Sequence, residues 1–170
     1  MSTETSDAER RDALLDQLRY LAAEVDAVAP VLERLPADVL TASMPDERSV
    51  LATFAHLAAL DREVYLPRLR RMVAEEEPTF GEPQDPAGVE RDVLDAALAD
   101  VRTARMMLVN AFEHLPADEW NRTAVFPDGE RRDIYGFVFA IVHHDASELR
   151  RVAYRMHESR LTDRAVDLPK

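Results

Sequence analysis

Apolar residues recur along this chain in steps of three and four, the spacing that gathers side chains on one face of an α-helix. The first stripe is Leu14, Leu18, Leu21, Val25, Val28, Leu32 and Leu35, and it predicts a helix over about residues 7–35. Ser6 and Glu9 stand at capping-box spacing at its start. Pro30 predicts a kink or break near its end. The second stripe, Val50, Phe54, Leu57, Leu60 and Val64, predicts a helix from near Asp46, kinked at Pro67 and continued by Leu69 and Met72. The third is Leu94, Leu98, Val101, Arg105, Leu108, Phe112 and Leu115, in a helix over about residues 89–114. Arg105 is the one position in it that is wrong for a core. Ile134, Phe137, Val138, Ile141, Leu149 and Val152 predict a fourth helix over about residues 133–157.

Four long helices with shorter connections predict an all-α fold, an antiparallel four-helix bundle in one domain spanning 1–170, with residues 1–6 and 161–170 as flexible tails. The longest connection, residues 75–88, holds Pro78, Gly81, Pro83, Pro86 and Gly88, and is the candidate crossover. The phrase LPAD occurs twice, at Leu35–Asp38 and Leu115–Asp118. Each copy follows a long helix and precedes a Pro-Asp pair and a histidine-bearing helix. That pattern suits two similar helical halves, and equally a common way of stopping one helix and starting the next.

Composition narrows the function classes. At 46% hydrophobic and 32% charged residues the chain is globular rather than disordered. Four glycines in 170 residues, with no β-branched alternation, agree with helices. A net charge of -12 repels phosphate backbones and anionic lipid, so neither nucleic acid nor membrane is an expected partner. There is no cysteine, the N-terminus is polar, and no apolar run approaches the ~20 residues that span a bilayer. A cytoplasmic protein is expected.

Polar residues on apolar faces are the candidates for chemistry. His144 and Glu148 lie four apart, about 40° apart around the helix, on the line Ile141, His144, Glu148, Val152. His143 points about 100° away and faces outward. His56 flanks the second stripe. A carboxylate and an imidazole turned into a bundle need partners. One is a divalent metal, with His56, His144 and Glu148 as ligands; two imidazoles and a carboxylate suit Zn²⁺, Fe²⁺ or Ni²⁺. Another is Arg105, paired with Glu148 across the bundle. Water at an open end is the third. The plainer reading of His144 and Glu148 is an i,i+4 surface pair, and of His56 a hydrogen-bonded residue at the core edge. Asp61 and Glu63 read as solvating the second helix, with Asp61 able to orient a ligand from behind. Met106 and Met107 read as core filler, Trp120 as an anchor for the second connection, and His114 and His157 as cations at helix C-termini. No phosphate-binding glycine loop or nucleophile elbow is present.

The phrases ERSVLATFAHLAALD, LPRLRRM, the helix holding Arg105, and FVFAIVHHDASELRRV together resemble the DinB-like superfamily, which includes the YfiT-type metal-dependent hydrolases. The resemblance spans nearly the whole chain and implies a four-helix bundle, often a homodimer. It also implies a divalent metal, nickel or zinc, held by one histidine on the second helix and an H-x-x-x-H pair on the fourth. Carried onto this chain, the ligands are His56 and His144, the latter preceding Asp145, and Glu148 where the family has histidine. That departure makes either a His₂Glu site or an inactive one closed by Arg105, with Asp61 and Asp145 in support. Phe126 is a second departure, since similar relatives often show histidine there.

The activity implied is hydrolysis, or transfer of a low-molecular-weight thiol to a small electrophile, by a metal that lowers the pKa of water or thiol. Against it stand a non-catalytic bundle with a degenerate site that binds a small molecule, and a dimeric interaction protein without a pocket.

Overall fold

A computed structural model describes residues 2–43, 48–83, 86 and 93–166. Its long helices are α1 (Ser2–Leu32), α3 (Val50–Ala59) with α4 (Leu66–Ala74), α5 (Leu94–Glu113) and α6 (Ile134–Val166). A short α2 (Ala37–Thr41) and a 3₁₀ turn (Ala117–Asn121) sit in the connections. Two three-residue strands, β1 (Thr123–Val125) and β2 (Arg131–Asp133), pair antiparallel with Ala124 opposite Arg132.

The stripes become the core. Leu18, Leu21, Val25 and Leu32 of α1 are buried, as are Val50, Phe54, Leu57, Leu60, Val64, Leu69 and Met72 along α3 and α4. So are Leu98, Val101, Leu108 and Phe112 of α5, and Ile134, Phe137, Val138, Ile141 and Val152 of α6. Around the bundle, α1 packs on α5 and α6, and α3 packs on the same two. Consecutive long helices therefore stand mainly across diagonals. The pairings fix the directions. Arg19 meets Glu113 and Asp26 meets Arg102, so α1 and α5 run antiparallel. His56 meets His144 and Tyr65 meets Phe137, so α3–α4 and α6 do too. Arg105 meets Asp61, and farther along Leu66, Leu69 and Val73 share a cavity wall with Met107, Ala111 and Leu115, so α3–α4 runs parallel to α5. That parallel pair requires the connection after α4 to cross the length of the bundle, as its length suggested.

The two LPAD copies share their proline conformation, and lead into an α-helical turn in one case and a 3₁₀ turn in the other. Pro36 (φ -56, ψ 146) and Pro116 (φ -55, ψ 149) each cap a short helical turn. Leu40 and Trp120 stand at matching places after them, both buried. Trp120 anchors its connection as expected, stacking near Tyr135 (5.0 Å between centroids) and Phe112 (5.9 Å).

Several local expectations change. Helix α1 begins at Ser2, so Ser6 lies inside it and is no cap. Pro30 sits within its last turn, and the chain leaves the helix just beyond, through tightened turns at Arg34 and Leu35. Asp46 and residues 89–92 lie outside the described residues. Helix α3 instead starts at Val50 behind Ser49, whose Oγ accepts the Ala52 N–H at 3.0 Å. Pro67 follows a π-helical segment, Leu60–Tyr65, closed by a Leu66 N–H to Asp61 carbonyl bond. A wider turn there relieves the clash between a proline ring and the preceding turn. Helix α6 continues to Val166, which leaves His157 inside it and not at its C-terminus; His114 does cap α5. Met106 (61% exposed) and Met107 (49% exposed) are surface residues, because α5 buries the opposite side of its circumference.

The strands were not visible as a sequence pattern, since three residues are too few to show an alternation. The crossover adds to them: the Phe80 N–H donates to the Val125 carbonyl (2.9 Å) and the Val125 N–H to the Pro78 carbonyl (3.0 Å). Gly129 makes the turn between β1 and β2, at φ 81, where a side chain would be strained. No helix among the described residues is long and apolar enough to cross a membrane.

Candidate functional site

A cavity of about 310 Å³ opens between α3–α4 and α6, beneath the crossover and the small sheet. Its walls are mostly apolar, with Leu60, Val64, Phe126, Phe137 and Ile141 prominent, and His56, His144, Tyr65 and Arg68 supply the polar groups. Helix α3 contributes His56 from its second turn. Helix α6 contributes His144 from the line predicted for it. His143, one residue earlier, is exposed.

The two imidazoles meet across the bundle, ring centroids 5.8 Å apart at 63°. His56 is buried, and its Nδ1 lies 2.8 Å from the Pro86 carbonyl. A carbonyl only accepts, so Nδ1 carries a proton, and the tautomer this contact selects has its lone pair on Nε2. This backbone contact is the kind that orients metal-binding imidazoles. His144 is half-buried, with its Nδ1 buried and unpartnered. Burial pulls its pKa below the ordinary histidine range, ahead of the opposing pull of Asp145 and Glu148, so the ring is neutral near pH 7.

The third predicted ligand is nearby but engaged. Glu148 Oε1 lies 3.7 Å from His144 Nε2, and the same oxygen accepts a 2.5 Å bond from Arg151 Nη1. Among the described residues no three histidine, aspartate or glutamate side chains stand together as a metal centre. The donor types and the orientation of His56 thus suit a divalent ion, while the carboxylate is not turned to meet it.

Arg105 does not pair with Glu148. It is fully buried and forks onto Asp61, Nε to Oδ2 at 2.8 Å and Nη2 to Oδ1 at 3.0 Å, with Nη1 on Asp145 Oδ2 at 2.6 Å. The guanidinium therefore joins α5, the π-helical segment and α6 at the bundle centre, and it does not plug the space between the histidines. Asp61 is correspondingly a buried ion-pair partner and not a solvating residue. Four residues after Leu57 and three before Val64, Asp61 falls on the buried face of its helix by ordinary helical spacing. Two carboxylates share one guanidinium here. Burial pushes Asp61 up, to about 6, ahead of the lowering pull of Arg105, and Asp145 is raised by burial as well. Asp145 Oδ1 is buried without a partner. Asp145 links the two layers, since it adjoins His144 in sequence and holds Arg105 in space.

Residues from the least patterned parts of the chain complete the cavity. Phe80 and Phe126 stack edge to face, centroids 5.3 Å apart, and Phe126 leans on Phe137 at 5.4 Å. Phe126 stands as an apolar wall of the cavity. Phe80 and Arg68 were missed from the sequence, because their place depends on the crossover pairing with β1.

No curated protein matches the chain. Among solved structures it is similar to YfiT from Bacillus subtilis, described as a probable metal-dependent hydrolase with an unusual four-helix bundle topology. The TM-score is 0.74 at 16% identity, over 89% of this chain and 88% of that one. The likeness at this identity is one of fold. The DinB superfamily model matches residues 17–150, from the second turn of the α1 stripe to just past Glu148, and the chain therefore belongs to the DinB superfamily.

Proposed function

We propose that this protein is a metal-dependent enzyme of the DinB superfamily, acting as a hydrolase or low-molecular-weight thiol transferase on a small electrophile in the cavity between α3–α4 and α6. The observation that carries this reading is the meeting of two imidazoles from different helices, 5.8 Å apart, at the wall of an apolar cavity. His56 and His144 would hold a divalent ion, zinc, nickel or iron, with Glu148 as the third ligand after it leaves Arg151. When bound, the cation would supply the acidity that makes water or a thiol nucleophilic near neutral pH. The chain's own part is to keep the His56 Nδ1 proton on the Pro86 carbonyl, which leaves Nε2 as the donor. The apolar walls exclude water and take the body of the substrate. Tyr65, whose pKa burial pushes up, stays a neutral phenol there.

Metal content of untagged protein, with calorimetric titration of Zn²⁺ and Ni²⁺, tests this. Uptake of one ion per chain is expected, weakened at least tenfold by His56→Ala and His144→Ala. Absence of metal and of uptake would refute it.

The second reading, a degenerate bundle that binds a small molecule without metal, is favoured by the engagement of Glu148 with Arg151 and by Phe126. It expects ligand binding that EDTA leaves unchanged. In either case we place the protein in the cytoplasm as a homodimer, with Tyr20 and Phe139 among its exposed large apolar residues; light scattering on the eluting protein checks the mass.

A further inference from the structure

Three guanidiniums stack on the Phe80–Phe126 ring pair. Arg71 lies 5.1 Å from the Phe80 centroid and Arg132 lies 5.0 Å from that of Phe126, while Arg68 covers both, at 5.2 and 5.8 Å. Their charges are balanced differently. Arg71 is held by both oxygens of Glu75, at 2.7 and 2.8 Å, and Arg132 is paired with Asp128. Arg68 has a carbonyl alone, donating from Nη2 to Gly81 at 2.9 Å, and among the described residues no carboxylate lies within ion-pair distance of it. The exposed Glu82 is the described acid whose charge it feels. Arg68 is half-buried, and of the three it is the one that lines the histidine cavity.

A chain of net charge -12 has acids to spare for a stray guanidinium, and the two neighbouring arginines have each acquired one. Arg68 is instead clamped by two ring faces and a carbonyl. Such a clamp fixes the plane of the fork and leaves N–H groups for a planar, bidentate acceptor. One guanidinium among apolar walls matches a monoanion, since a phosphate dianion calls for more positive charge than the cavity holds. We propose that Arg68 is the anion-binding residue of this cavity, and that the ligand is a small molecule with an apolar body and a carboxylate. The inference builds on the reading of the cavity as the ligand site, and it does not require a metal to be bound.

The test is calorimetric titration of the full chain in EDTA with 4-phenylbutanoate and with its uncharged amide, 4-phenylbutanamide. The acid should bind about tenfold or more tightly than the amide, the effect of a charge-assisted bond. Arg68→Gln and Arg68→Leu, two variants checked for unchanged melting, should bring that ratio to about one, and a His56→Ala/His144→Ala double variant should keep it. Equal binding of acid and amide to the natural protein, a ratio that survives in both Arg68 variants, or no heat with either compound would overturn the proposal. A ratio kept by the Arg68 variants and lost in the histidine variant would move the anion to the imidazoles and leave the metal reading standing. Failure to take up metal with the ratio intact would sink that reading alone.

Discussion

Replacing Arg105 with methionine removes the one positive charge from a fully buried cluster and leaves two carboxylates facing each other. Three ion-pair contacts go, the two-pronged pair with Asp61 at 2.8 and 3.0 Å and the 2.6 Å bond to Asp145, along with a 3.5 Å bond to the Leu18 carbonyl. Breaking one buried pair by deleting a partner costs about 3–5 kcal/mol, because the remaining charge is stranded away from water. Two stranded carboxylates set the upper limit higher, but each can take up a proton, and that escape caps the loss. The expected effect near pH 7 is thus about 3–5 kcal/mol, or roughly 6–20 °C in melting temperature for a chain of this size. Urea denaturation measures it. The penalty should shrink as pH falls, since protons then do the neutralising. The triple replacement Arg105→Met, Asp61→Leu, Asp145→Leu should recover most of the loss, as apolar replacement of a whole buried cluster often does. A single Arg105→Met variant within about 1 kcal/mol of the natural protein would refute the reasoning, because the cluster could then not be dry.

The raised pKa of Asp61 gives a signed pH dependence: a native state that binds more protons than the unfolded chain between about pH 4 and about pH 6 loses stability as pH rises through that window. Asp61→Asn should lack this contribution, so its stability relative to the natural protein should improve between the two pH values; a constant difference would count against it. Ser49→Ala removes the cap on the helix that carries His56, and should cost about 1 kcal/mol, or roughly 2–4 °C, in a thermal melt. An unchanged melt would mean the Ala52 N–H finds another acceptor.

The amino-acid sequence by itself determined the four stripes, and with them the four long helices and most of the core. Periodic burial needs only local geometry: Leu18, Leu21, Val25 and Leu32 share a face in any helix, whatever packs on it. The same local rule aimed His144 and Glu148 inward and His143 outward, and the length of the 75–88 connection allowed the crossover. What Arg105 pairs with was beyond its reach. A stripe shows that a charge is buried but not which helix faces it: Asp61 stands at helical spacing from Leu57 and Val64, yet nothing in that spacing pairs it with Arg105. Direction of packing is also tertiary: whether α3 lies beside α5 parallel or antiparallel depends on where a loop lands, a choice made by the sum of many weak contacts. The cavity follows from that choice. Phe80, Arg68 and Phe126 are far apart along the chain and lie outside any repeating pattern, and they become neighbours because residues 78–80 find the open edge of β1.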